Sequence, residues 1–160
     1  MKVLVDSSTL IALAKIGELD FLREYYSHIY ITEEIKGEVT HKELPENILL
    51  KESIGGWIKL LNQVGYDHFS GISGLDKGER ILLNYAKENQ DTLLILDEKE
   101  ARMVAKVEGL NYTGTLGLLV YLYEQGSLSN KKAQQIVKKL ANSDFRMTVE
   151  LYDWVLDKTG

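Results

Sequence analysis

Four acidic residues stand where a carboxylate could do chemistry. Asp6 and Asp97 each follow directly on an apolar, strand-like run, "KVLVD" and "TLLILD", and Glu38 and Glu79 lie in helical patterns. Two carboxylates brought together from separate strands repel one another, so one must take a proton or both must face cations. The chain has no cysteine, and its three histidines, His28, His41 and His68, fall in no ligand-like spacing. Any ion would therefore be held by oxygen or histidine. Oxygen-only sites suit magnesium or manganese, which keep several waters and need few protein carboxylates.

Each acid also has a plainer role. Asp6 could cap the helix that follows it, unless Ser7 or Ser8 takes that place and frees the carboxylate. Asp97 could cap the helix after it, with Glu98 and Glu100 as partners of the helix dipole. Glu38 stands three residues after Ile35 and beside Val39, at the edge of a buried stripe, where it could reach a cleft or simply face water. Glu34, on the same face, reads as a first-turn anion. Asp76 and Glu79 have the spacing of a capping box, which would use both side chains on backbone amides. Asp6 and Asp97 share a location at two strand ends, and that match favours function for both.

The elements that must position these acids alternate along the chain. Val3 to Val5 read as a buried strand, and Leu10, Ile11, Leu13 and Ala14 recur at helical spacing until Gly17. A short helix from Leu19 to Tyr26 leads into the strand "HIYIT", after which Thr32 caps "EEIKGEVTH". From His41 to Gly74 the pattern weakens, and "IGGWIKLLNQVGYDHFSGISG" could hold a helix, an edge strand or a loop. A helix returns at "LDKGERILLNYAKENQ", with Ile81, Leu82, Tyr85 and Ala86 on one face. The strand "TLLILD" follows, then the helix "EKEARMVAKVEG", the short strand "LNYTG", and a helix "LGLLVYLYEQG" capped by Thr115. Two more helices, about 130–141 and 148–156, complete the chain. Alternating strands and helices predict a parallel sheet covered on both faces. In such sheets ligands bind beyond the carboxyl ends of the strands, where strand order reverses. If the first strand and "TLLIL" are neighbours at that reversal, Asp6 and Asp97 meet in one crevice.

Composition bounds the rest. With 160 residues, 44% hydrophobic, 27% charged and a single proline, the chain is long enough to bury its own core and is ordered nearly throughout. A net charge of -5 argues against coating nucleic acid by bulk electrostatics, though a cluster of cation-holding acids would itself lower the formal charge. No basic leader precedes a long apolar run and none is long enough to span a bilayer, so the expectation is a cytoplasmic protein with no membrane contact. "TGTLGLL" is too poor in glycine for a dinucleotide fingerprint and there is no Walker loop. Lys131, Lys132, Lys138 and Lys139 read as a solvated helix face, whereas Lys99, Arg102 and Lys106 lie nearer the expected cleft and could contact phosphate. Trp57 could stack on a base or anchor the core, and "VELYDWVL" could seal the core or a homodimer contact.

Taken in order, "VLVDSSTLIALAKIG", "IYITEEIKGEV", "LDKGERILLNYA", "LLILDEKEARMVAK" and "TGTLGLLVYLYEQG" resemble a PIN-domain protein, over nearly the whole chain to about Gly126. The resemblance implies a three-layer α/β/α fold with a central parallel sheet. It divides the chain into a nuclease core, 1–126, and a helical extension, 127–160, packed on the same domain. It also implies a magnesium- or manganese-dependent ribonuclease acting on RNA, often the toxin of a pair with an antitoxin protein. Carried over by position, the catalytic and metal-binding acids are Asp6, Glu38, Glu79 and Asp97, with Ser7, Glu98, Glu100 and Thr115 as auxiliary candidates. Glutamate at 79, where many relatives carry aspartate, is a departure that reaches farther. Two other readings compete: a catalytically silent PIN-like module that binds RNA or protein, and a haloacid-dehalogenase-like phosphohydrolase. The latter wants a second acid two residues after Asp6, where this chain has Ser8.

Overall fold

The computed structural model describes residues 1–62 and 65–160, and Gln63 and Val64, within the stretch of weak pattern, lie outside the described residues. The order is β1 (Lys2–Val5), α1 (Ser7–Lys15), α2 (Asp20–Tyr26), β2 (Ile29–Ile31), α3 (Glu33–Thr40), α4 (Pro45–Ser53), β3 (Ile58–Leu60), α5 (Lys77–Glu88), β4 (Thr92–Ile95), α6 (Lys99–Val107), β5 (Tyr112–Thr113), α7 (Thr115–Glu124), α8 (Asn130–Ala141) and α9 (Val149–Thr159). The five strands form one parallel sheet in the order β3-β2-β1-β4-β5. It is the middle layer of a three-layer α/β/α fold.

This order answers the question the two strand-end aspartates raise. Chain order runs outward from β1 to β3 on one side and from β4 to β5 on the other, so the reversal falls between β1 and β4. Those two strands pair along their whole length, with Val5 opposite Ile95. Leu4, Val5, Leu94, Ile95 and Leu96 are fully buried, as expected of central parallel strands covered on both faces. The crevice beyond Val5 and Ile95 is thus fixed by the topology.

The weak stretch contains α4 and the edge strand β3. Helix α4 starts at Pro45, whose fixed φ suits a first helical position. It buries only Asn47 and Leu50, and Asn47 Nδ2 donates to Val39 O (2.9 Å) at the end of α3. Leu44, Ile48 and Leu49 are exposed. Among the described residues, no helix is long and apolar enough to cross a membrane.

The last two helices pack on α7 and on each other. In "VELYDWVL" Val155 is buried, while Val149 and Trp154 face outward. The basic run on α8 is not merely solvated, because Lys132 Nζ and Lys139 Nζ each lie 2.8 Å from a carboxylate oxygen of Glu18 in the α1–α2 turn. Burial pushes the Glu18 carboxyl up, but the two ammonium groups outweigh it and hold the group below its ordinary range. Replacing both lysines by alanine strands a buried charge, with an expected loss of about 1–3 kcal/mol. The urea midpoint should fall with an unchanged slope, and Glu18→Gln in that background should restore part of it. An unmoved midpoint would return these lysines to the solvated face.

Candidate active site

The site grows from the end of β1. Asp6 N donates to Ile95 O (3.1 Å), extending the ladder by one residue, and the Asp6 side chain then bridges the two strand ends. Its Oδ2 accepts from Asp97 N (2.9 Å) and its Oδ1 from Thr9 N (3.0 Å). Asp6 is therefore itself the N-cap of α1, and neither Ser7 nor Ser8 replaces it. The carboxylate serves the helix and the cleft together. At 1% exposure, burial first and the charge of Asp97 second raise its pKa to about 6.

Asp97 does not cap the helix after it, which begins without a side-chain cap at Glu98. It turns toward α7 instead. Oδ1 accepts from Thr115 N (2.9 Å), and Oδ2 accepts from Thr115 Oγ1 (2.5 Å) and Thr9 Oγ1 (2.7 Å). Thr115 is accordingly not the cap of α7, a place held by Gly114, but the hydroxyl that orients Asp97. A side chain at Gly114 would crowd the site, since a Cβ would stand 3.0 Å from Asp97 Oδ1.

Glu38 reaches the same region from α3. Its Oε2 accepts from Ser7 Oγ (2.7 Å), next in sequence to Asp6. Thr32 caps α3 as the pattern predicts, and Glu34 pairs with Lys77 across to α5 (3.2 Å). Gly78 lets the starts of α3 and α5 approach, because a Cβ would lie 3.0 Å from Ile35 Cγ1. That contact holds Glu79 near the other acids.

Glu79 fills only half of a capping box. Asp76 caps α5 by accepting from Glu79 N (2.7 Å), yet among the described residues Glu79 Oε2 is buried and finds no donor. With 8% exposure, burial raises its pKa to about 8, followed by a side-chain hydrogen bond to Asp76 and then by the charges of Asp76, Glu98 and Asp6. Glu98 and Glu100 are exposed, Glu98 within electrostatic reach of Glu79 and Glu100 packed on Gly74. Asp6 thus touches Asp97, Ser7 ties Glu38 to the same corner, and Glu79 approaches by charge rather than by contact.

Thr9 belongs to this neighbourhood and no motif marks it, while Asp76 enters it as the helix cap that its spacing predicts. The α8–α9 connection is a further unforeseen wall. Asp97, Lys15, Lys99 and Arg146 line a cavity of about 700 Å³, with Asp144 held to Lys15 Nζ at 2.8 Å. Lys99, Arg102 and Lys106 border a smaller cavity that also reaches Asp97, as their spacing predicts.

The donor set is hard and all oxygen, and it holds a buried carboxylate oxygen without a partner. Both features suit a magnesium- or manganese-type ion. Among the described residues no three acidic or histidine side chains converge to hold an ion by themselves. The fit is to the water-rich coordination such ions prefer, through one or two carboxylates, rather than to a closed protein cage.

A parallel sheet with reversed strand order and paired aspartates at the reversal defines a class of α/β proteins that place chemistry at strand ends. A family model described as "PIN domain" matches residues 2–160, and the chain belongs to the PIN-domain family. No curated protein and no solved structure matches the chain significantly.

Proposed function

We propose that this protein is a divalent-metal-dependent ribonuclease that hydrolyses RNA phosphodiester bonds, with Asp6, Glu38, Glu79 and Asp97 as its acidic centre. The observation that supports the reading is the buried Glu79 Oε2, which has no hydrogen-bond partner among the described residues and whose carboxyl feels the charge of Asp6, the residue that joins Asp97 at the strand ends. Without a cation Glu79 is left a buried acid raised to about 8 by burial and by its hydrogen bond to Asp76, and a bound cation would let it ionise. In this reading residues 1–126 form the nuclease core and 127–160 an extension that walls the site. A role as the toxin of a toxin–antitoxin pair is the biological setting we assign.

A magnesium or manganese ion, when bound, supplies Lewis acidity at the scissile phosphate and at the attacking water. Asp6 and Asp97 would hold it, both pre-set by the hydrogen bonds that fix their oxygens. Glu38, oriented by Ser7, and Glu79 would hold its waters or ligate directly. Thr9 and Thr115 keep Asp97 in one orientation. Lys99 and Arg102 offer cations to the flanking phosphates.

A specific observation favours the silent-module reading as a rival, namely that Asp6 and Asp97 each already serve a helix start. Calorimetric titration with manganese separates the two. The expected result is saturable binding by the wild type, no binding heat after Asp97→Asn, and cleavage of single-stranded RNA that needs manganese and stops with chelator. Absence of both binding and cleavage would leave a set of helix caps.

A further inference from the structure

We infer that the cavity between β5, α6 and the α8–α9 connection is a nucleobase subsite, which seats one unpaired base of an RNA strand while the adjoining phosphate lies at Asp97. The inference rests on the ribonuclease reading for its reacting group and goes beyond it in assigning the recognition element to the carboxyl-terminal extension.

The cavity measures about 520 Å³, within the range of small-ligand sites, and Asp97 stands in its wall. Tyr112 and Arg102 form one side, with the guanidinium 6.0 Å from the ring centroid and so already laid over an aromatic face. Phe145, Arg146 and Trp154, from the carboxyl-terminal extension, line the same cavity. Trp154 is 40% exposed, an expense for an indole with no role at the surface. Among the described residues, neither Arg102 nor Arg146 has a carboxylate within ion-pair distance, although the chain is acidic overall. Two unpaired guanidiniums and three aromatic rings around one hollow are the elements that hold unpaired bases and their phosphates.

Arg146 also lines the neighbouring cavity that contains Lys15 and Lys99, so a strand leaving the base pocket would pass over cationic side chains. The connection that carries Phe145 and Arg146 is tied down on its amino-terminal side. Asp144 pairs with Lys15, and Phe145 N donates to Ser143 Oγ (3.1 Å). The backbone of Phe145 is thereby held before any ligand arrives, which lowers the ordering cost of binding. A duplex cannot present a base to such a pocket without unstacking it, so the fitting ligand is single-stranded.

The test measures binding in chelator, where nothing is cut, by fluorescence anisotropy of a labelled short oligoribonucleotide and of an abasic ribose-phosphate strand of equal length. The wild type should bind the base-bearing strand about tenfold more tightly than the abasic one. Trp154→Ala and Phe145→Ala should erase that difference without changing abasic binding, and Trp154→Phe should restore most of it. Equal binding of the two strands, or an unchanged preference in Trp154→Ala, would overturn the subsite. The two readings fail separately. Manganese-dependent cleavage with no preference for bases removes the subsite alone, whereas a Trp154-dependent preference without cleavage keeps the subsite and removes the nuclease.

Discussion

Asp97→Asn is expected to slow manganese-dependent RNA cleavage by roughly a hundredfold or more while leaving the thermal midpoint close to that of the wild type. The substitution removes a charge and almost no volume. Its partners can adapt, because two of the three donors are hydroxyls, of Thr9 and Thr115. A hydroxyl can reverse and accept from an asparagine amide, while the remaining asparagine oxygen keeps the Thr115 N–H. Asp6→Asn should remove activity to a similar degree but is not equally benign. Both Asp6 oxygens accept from backbone amides, which cannot reverse, so an asparagine amide would face an N–H at Thr9 or at Asp97. We expect it to cost about 1–3 kcal/mol of stability as well. The two side chains are the same in size and charge, and the difference between their substitutions comes only from which atoms donate. Cleavage rates and melting curves on the two variants decide it, and wild-type cleavage by Asp97→Asn would remove Asp97 from the chemistry.

What was legible follows from what is local. Asp6 and Asp97 could be found because an apolar strand ending in an acid is a short pattern, and alternation of elements predicts that such ends share one edge of a parallel sheet. Thr9 was hidden because its hydroxyl acts 88 residues away while its own position reads as helix interior. The capping-box spacing identified Asp76 correctly and misread Glu79, since spacing cannot tell whether the returning arm is made. Helix α4 escaped for a different reason. Periodicity needs a buried apolar stripe, and here one of the two buried positions is Asn47, used to close α3, while Ile48 and Leu49 face solvent. Phe145 and Arg146 reach Asp97 through a connection with no periodicity at all, so only the packing of α9 on α7 reveals them.

The metal-free protein should lose stability as pH rises from about 4 to 8, opposite to the usual behaviour of paired carboxylates. Asp6 is raised from 3.8 to about 6 and Glu79 from 4.5 to about 8, chiefly by burial in both cases. Over that interval the folded chain keeps protons that the unfolded chain has released, so unfolding gives up protons and is favoured by higher pH. The contribution of each group is fully present below its unfolded value and gone above its folded one. Glu79→Gln keeps the shape of the side chain and cannot ionise. Its thermal midpoint should match the wild type near pH 4 and exceed it by about 5 °C near pH 9, the equivalent of about 2 kcal/mol once partial access of water to the cleft is allowed for. Manganese supplies the missing positive charge by another route. At pH 8 a hundredfold excess over its dissociation constant should stabilise the wild type by about 2.7 kcal/mol, and should stabilise Glu79→Gln by less if that carboxylate belongs to the ion's surroundings. Melting curves of both proteins across pH, with chelator and with manganese, measure the two effects together. Parallel pH curves would show that Glu79 is not a strained acid, and equal stabilisation by manganese would place it outside the metal site even if the strain is real.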